Sequence, residues 1–170
     1  VQGNYTTEKI NIYGMGGLSS IGYSYNDHFA VDFETVSSDP ITTFQVKGGA
    51  SYNLDDRLSA FVNSGYVQKP PILDNVIDYD GNVSTNPDNE KFTSFEVGGE
   101  YRSELVAIKG SYYNTQWQDR NLTKSVSTGQ GSSGDTDIIY LTGVNQQHSG
   151  VEIESKVALH DMVDLDLAIS

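Results

Sequence analysis

In segment after segment of this chain, apolar residues recur at every second position. Phe44, Val46, Gly48, Ala50 and Tyr52 alternate with Gln45, Lys47, Gly49, Ser51 and Asn53. Phe95, Val97, Gly99 and Tyr101 alternate with Glu96, Gly98 and Glu100, and Val106, Ile108 and Tyr112 with Ala107, Lys109 and Ser111. Val151, Ile153, Val157 and Leu159 alternate with Glu152, Glu154 and Lys156, and Val163, Leu165, Leu167 and Ile169 with Asp164, Asp166 and Ala168. Phe29, Val31 and Phe33 alternate with Ala30, Asp32 and Glu34. Leu58, Ala60, Val62 and Tyr66 follow the same pattern, with Phe61 as an exception. A period of two means strands with one apolar and one polar face, and no comparable helical period is found. The stretch Glu8–Tyr25 also reads as a strand, but its phase slips around "GMGGLSS", which predicts a bulge or kink there.

The connections narrow the architecture. Asn26-Asp27, Asn53–Asp56, Arg102–Glu104 and His160-Asp161 read as tight turns. Between them lie Val36–Pro40 and two long polar stretches, Gln68–Lys91 and Asp119–Ser149. Tight turns and longer links therefore alternate. In an antiparallel up-and-down meander, all tight turns then fall at one end and all long loops at the other. The expected fold is all-β, a meander of about eight strands forming part of a large transmembrane β-barrel, whose strands run about ten residues.

The polar faces carry carboxylates on strand after strand. Asp32, Glu34, Glu96, Glu100, Glu152, Glu154 and Asp166 are expected to face a watered lumen, and the aliphatic faces to meet lipid. Tyr25, Tyr52 and Tyr101 sit at strand ends beside the tight turns, where an interfacial aromatic girdle would lie. The formal net charge of -13 argues against nucleic acid, which needs a basic patch. With no cysteine, disulfides, thiolate metal sites and cysteine nucleophiles are excluded.

Few residues suggest chemistry. Asp78, Asp80 and Asn82 place oxygens at alternate positions, as a calcium loop begins, but Val76 breaks that register and a surface turn explains them. His28, His148 and His160 are too dispersed for a zinc site. "GMGG" opens no helix, so it is no dinucleotide loop, and no nucleophile elbow appears. Trp117, with Tyr112 and Tyr113, fits an anchor at the lipid interface better than a stacking platform for a ligand. Asp78, Asp80 and Trp117 are kept as loop candidates for ligand binding. Paired acids such as Glu152 and Glu154 recur on too many strands to mark an acid–base pair, so neither an enzyme nor a cofactor or metal is expected.

Four pieces carry a family resemblance: "FVNSGYVQKPPILDNVI", "NPDNEKFTSFEVGGEYRSE", "SYYNTQWQDR" and "GVNQQHSGVEIE". In this order and spacing, across Phe61–Glu154, they resemble the barrel of TonB-dependent outer-membrane receptors. The resemblance implies a bacterial outer-membrane location and import of a scarce solute such as an iron chelate, a vitamin or an oligosaccharide. It also implies a plug domain, absent from residues 1–170, through which the TonB complex would act. The chain is then expected to be a partial barrel domain, with an open edge at Met162–Ser170 that a further strand covers. Two other readings stay open: a complete eight-stranded outer-membrane barrel with a structural or adhesive role, and a soluble β-sandwich binding module.

Overall fold

The computed structural model describes residues 1–28, 34–78, 80–85, 87–127, 136–160 and 162–170. Among them, ten strands follow in chain order. They are β1 (Gln2–Thr6), β2 (Ile10–Ile21), β3 (Ser24–Tyr25), β4 (Val36–Ser37), β5 (Ile41–Asn53), β6 (Leu58–Lys69), β7 (Glu90–Arg102), β8 (Val106–Ser127), β9 (Thr136–His160) and β10 (Val163–Ile169). Eight form a single antiparallel sheet in the order β1-β2-β5-β6-β7-β8-β9-β10, and β3 pairs only with β4. The large sheet is open, with β1 and β10 as its edges. No second large sheet covers either face among the described residues, which removes the β-sandwich reading.

Register sorts the residues into two faces, because directly opposed residues of an antiparallel pair point the same way. One unbroken row runs Ile12, Ala50, Val62, Val97, Tyr112, Val151. Phe44, Val46, Leu58, Val106, Ile108, Ile153, Leu165 and Leu167 share this face. Its side chains are uncovered: Val97 is 44% and Val151 58% exposed. Tyr52 and Tyr101 close the apolar band at the tight-turn end. Phe44 and Tyr66, with ring centroids 5.2 Å apart, close it at the other. From Phe44 to Tyr52 the band runs roughly 26 Å along the strand at ~3.3 Å per residue, or ~20 Å in height at a strand tilt of ~40°, close to the apolar belt of an outer-membrane barrel. An apolar face this broad and uncovered is unsuited to water.

Tight turns lie side by side at one end. The Asn53 backbone N–H donates to Lys9 O at 2.8 Å, and that of Arg102 to Arg57 O at 2.7 Å. In the turn after β5, Asp55 Oδ1 accepts from the N–H groups of Arg57 and Leu58 at 2.7 and 2.8 Å. These two bonds to the ionised carboxylate hold the Asp55 carboxyl below its ordinary range. At the opposite end the long connections interlock. Tyr23 Oη donates to Pro71 O at 2.7 Å, and Asn89 Nδ2 to Thr42 O at 3.0 Å. What little apolar core exists among the described residues is here, at Val76 and Ile77 with Pro71.

Several expectations are corrected. Asn26-Asp27 is not a tight turn between neighbouring strands of the sheet, because β2 pairs along its whole length with β5. β2 is followed in the sheet by β5, so the link between them starts at the end away from the tight turns, and Tyr25 lies there in β3. The first tight turn is Thr7–Lys9, where the Thr7 hydroxyl accepts from the Ile10 N–H at 3.0 Å. It follows a strand, β1, whose sequence shows no alternation. Phe29, Val31, Asp32 and Phe33 lie outside the described residues. Glu34 is described, exposed and outside any strand, so it does not join the shared polar face. No bulge interrupts β2: Gly14 faces Gly48 and Gly16 faces Val46 in continuous register. The apparent slip arises because glycine contributes no apolar signal to the strand face it occupies. Finally, Asp119–Ser149 is largely strand, since β8 and β9 continue to Ser127 and from Thr136.

Candidate functional site

The face opposite the aliphatic one carries the acidic side chains of the sheet, with a few aromatic rings among them. Glu96, Glu100, Glu152, Glu154 and Asp166 share it with Lys47 and Lys109. Lys109 stands directly between Glu100 and Glu154 in register. Lys156 pairs with Asp164 at 2.8 Å.

Large side chains on this face lie across glycines of the neighbouring strand. Phe61 faces Gly98, Tyr13 faces Gly49 and Tyr113 faces Gly150. A Cβ built on Gly49 would stand 2.6 Å from Tyr13 Cε1 and 2.8 Å from Val62 O, so only glycine lets the ring pass. Tyr13 thereby reaches across β5 to β6, where its hydroxyl donates to Asn63 Oδ1 at 3.0 Å. Asn63 Nδ2 in turn donates to Glu96 Oε2 at 3.0 Å. This chain of hydrogen bonds spans four strands. Phe61, which disobeys the alternation, also lies 5.3 Å from Lys109 Nζ, a cation–π distance. Beside the hydrogen-bonded chain is a hollow of about 370 Å³, lined by Tyr13, Lys47, Asn63, Glu96, Tyr113 and Glu152. It offers carboxylates, phenol hydroxyls and one ammonium group, which suits hydrogen bonding to a polar solute. Among the described residues, no three His, Cys, Asp or Glu side chains converge as a metal site.

A second cluster sits at the loop end. Glu90, 1% exposed, opens β7. Its carboxylate accepts from Trp117 Nε1 at 2.9 Å and Lys69 Nζ at 3.3 Å. The backbone N–H of Asn121 adds a weak third bond at 3.4 Å. The Trp117 ring lies 4.5 Å from Phe92 and 3.9 Å from the Arg120 guanidinium carbon. Trp117 therefore belongs to the polar face and the rim, not to the lipid-facing girdle, and Tyr113 shares its face while Tyr112 is opposite. No sequence signal marks Glu90, because its partners are 21 to 31 residues away.

Asp78 and Asp80 belong to the loop between β6 and β7. Asp78 Oδ1 accepts from the N–H groups of Asp80 and Asn82 at 3.0 and 2.8 Å, and Oδ2 from Asn82 Nδ2 at 2.9 Å. The Asn82 side-chain amide, then its backbone N–H, lowers the Asp78 carboxyl below its ordinary value. Gly81 supplies the positive φ of 79° that the turn needs. Both Asp78 oxygens thus organise the turn itself, while the Asp80 side chain is exposed. Near this loop, a cavity of about 450 Å³ is lined by Pro40, Ile41, Val76, Val83, Pro87 and Asn89, among others.

The family described as "TonB dependent receptor-like, beta-barrel" matches residues 3–169. No curated protein matches the chain. Among solved structures, a copper transporter, OprC, superposes with a TM-score of 0.72 at 16% identity, covering 98% of this chain and 26% of its own. The siderophore receptor PirA from Pseudomonas aeruginosa superposes with a TM-score of 0.60 at 13% identity, covering 94% of this chain and 33% of its own. The chain thus spans about a quarter to a third of the length of these structures. With an open eight-stranded meander, one face aliphatic and the other acidic, and a family match over nearly its whole length, the chain belongs to the TonB-dependent receptors of the bacterial outer membrane, as part of their β-barrel.

Proposed function

We propose that the chain forms part of the wall of a receptor that imports a scarce solute across the outer membrane, driven by the TonB complex through a plug domain outside residues 1–170. The cargo class is an iron chelate, a metal ion, a vitamin or an oligosaccharide; the two similar structures are named for copper transport and siderophore reception. In this reading Glu96, Glu100, Glu152, Glu154 and Asp166 face the lumen, and the aliphatic row meets lipid. The β2–β5 and β6–β7 connections and the β8–β9 hairpin project outside the cell, and Asp78 and Asp80 in a loop, with Trp117 at the rim of β8, are candidates for contact with cargo.

The observation that carries the reading is the separation of faces. Six register-matched residues from Ile12 to Val151 are all apolar or aromatic, while the next row on the other face holds Asn63, Glu96 and Tyr113. Such a wall is stable only with lipid on one side and water on the other. Uptake assays test the function. Cells lacking the full receptor should lose accumulation of one labelled cargo from this class, and dissipating the inner-membrane proton gradient should remove the same accumulation from wild-type cells. Uptake that survives loss of the gradient would refute energised import.

A further inference from the structure

The apolar band of the outward face does not end at one register level. Up to the level of Lys91 and Gln118, its last apolar side chain toward the loop end is Phe44 on β5, Tyr66 on β6, Phe95 on β7, Tyr112 on β8 and Val151 on β9. Tyr66 stands opposite Val46, two residues short of Phe44. Phe95 stands opposite Ser64, two short of Tyr66, and Tyr112 opposite Val97, two short of Phe95. Val151 is level with Tyr112. The boundary therefore descends like a stair. Two residues are ~6.6 Å along a strand, and strands lie ~4.8 Å apart. From β5 to β9 the boundary thus slants by roughly 45°, close to the strand tilt of an outer-membrane barrel. The slant is the tilt itself, so the four rings on β5 to β8 lie at one height, as the outer aromatic girdle.

Above the rings the outward face turns polar without turning acidic. It presents Thr93 on β7, Asn114, Gln116 and Gln118 on β8, and Ser149 and Gln147 on β9. The one charged outward side chain at these strand positions is Lys91, whose Nζ pairs with Asp119 Oδ2 at 2.7 Å. The chain has 23 acidic residues against 10 basic ones. On β7, β8 and β9 the carboxylates Glu90, Glu96, Glu100, Glu152 and Glu154 fall on the inward side.

The amides of this patch are also unused by the protein. Elsewhere, Asn63 donates to Glu96, Asn89 donates to Thr42 O, and Gln146 accepts from Arg120. Among the described residues, the side chains of Asn114, Gln116, Gln118 and Gln147 make no such bond. Gln116, Gln118 and Gln147 are exposed. Gln116 and Gln147 are directly opposed, with Asn114 and Gln118 two residues to either side along β8. Each amide both donates and accepts. A sugar hydroxyl does the same, so a row of amides suits a saccharide. A phosphate calls for cations, and the one cation here is already paired.

We propose that this outward patch binds the sugar head of an outer-leaflet glycolipid, whose acyl chains lie against the apolar band below. The site is continuous with the lipid-facing band and follows from the barrel's place in the outer membrane. It is independent of what the receptor imports.

Native mass spectrometry of the full receptor in detergent tests this with two probes. One is lipopolysaccharide carrying its core sugars; the other is the lipid A left when mild acid removes them. The double variant Gln116→Ala, Gln147→Ala should hold the sugar-bearing probe about tenfold more weakly, as expected for two ordinary hydrogen bonds. It should hold lipid A as wild type does. Thr115→Ala, on the inward face, should bind both probes unchanged. If the double variant lacks the heat-modifiable folded band on gels, Gln118→Ala carries the test, with a loss of about threefold for one bond. Undiminished binding of the sugar-bearing probe would overturn the proposal. Equal weakening of both probes would overturn it too, by placing the contact on phosphate or acyl chain. A dimer present in wild type and lost in the double variant would give the patch to a second copy instead.

Discussion

Phe61 lies over Gly98, the residue directly paired with it across β6 and β7. A Cβ on Gly98 would stand 2.6 Å from the Phe61 Cζ, 2.8 Å from Ser111 Cβ and only 2.4 Å from the carbonyl oxygen of Gly110. The last of these is backbone and cannot rotate away. Gly98→Ala should therefore destabilise the folded receptor by ~1–3 kcal/mol through overpacking. Trimming the ring in a Phe61→Ala background should leave much of that cost in place. Gly14, where an added Cβ meets nothing within 4 Å, is the control, and Gly14→Ala should cost nothing. The temperature at which the folded band is lost on gels ranks the variants.

The two faces should differ sharply in their tolerance of charge. Val97 lies in the middle of the apolar band, and Thr115 points to the other face. Val97→Lys should cost ~2–4 kcal/mol in a bilayer, the range for a basic residue near the midplane of a lipid-facing strand. Thr115→Lys should have little effect. Reversible unfolding of the refolded receptor in lipid vesicles measures both.

Trp117→Phe keeps an aromatic ring between Phe92 and Arg120 but removes the indole N–H from the buried Glu90 carboxylate. An under-bonded buried acceptor costs ~1–3 kcal/mol, so this variant should lower thermal stability despite its conservative shape. A thermal midpoint equal to wild type would mean that the bond contributes nothing.

Protease added to intact cells should reach the exposed stretch Asn82–Thr85 and spare the tight turn at Asp55 and Asp56. Pro71, Val76 and Ile77 are buried, which protects the first half of the same loop. Mass spectrometry of the released fragments locates the cut. Cleavage at Asp55-Asp56 in intact cells would invert the orientation.

The Asp78 turn should be acid-labile in a defined direction. Its carboxyl is held below the ordinary 3.8, first by the Asn82 side-chain amide. A lowered folded value means that the ionised form supports the turn above the unfolded value, and that this support is lost as pH falls through the folded one. The turn should thus persist at neutral pH and through mild acid, and loosen only below the usual carboxylate range. The carboxyl carbon resonance of Asp78 should titrate below that of a free aspartate, and should lose the difference in Asn82→Ala.

The strands from Ile41 to Arg102 were legible because each carries enough branched or aromatic side chains on one face to make period two visible. Eight strands were expected and eight form the large sheet, but the two sets differ. β1, "QGNYT", has no alternation to read, and the turn after it is made by a threonine hydroxyl, without the usual glycine or asparagine. Phe29–Glu34 alternates well, yet the strand beside β2 is β5, and pairing cannot be read from one strand's own pattern. The polar face was legible where its acids lay on paired strands. Tyr13, Asn63 and Glu90 were not, because each acquires its role from a residue brought near by the sheet: Tyr13 bonds a residue 50 positions away. The β8–β9 extension does not read as strand because its apolar residues, Leu122, Val126, Ile139 and Leu141 among them, are set among polar ones without the clear alternation of the strands below.

Every strand of the large sheet is hydrogen-bonded only to the strands before and after it in that sheet. A hairpin is therefore a self-contained unit of inheritance. Duplicating or deleting two adjacent strands restores the direction of travel and the inward–outward phase of everything downstream, whereas gaining or losing one strand reverses the direction of all that follows. Circumference can then vary among descendants in steps of two while each remaining hairpin keeps its neighbours, its turn and its glycine-to-ring fit. The same rule frees the far end of any hairpin to lengthen, as β8 and β9 have, without disturbing the register of the wall below.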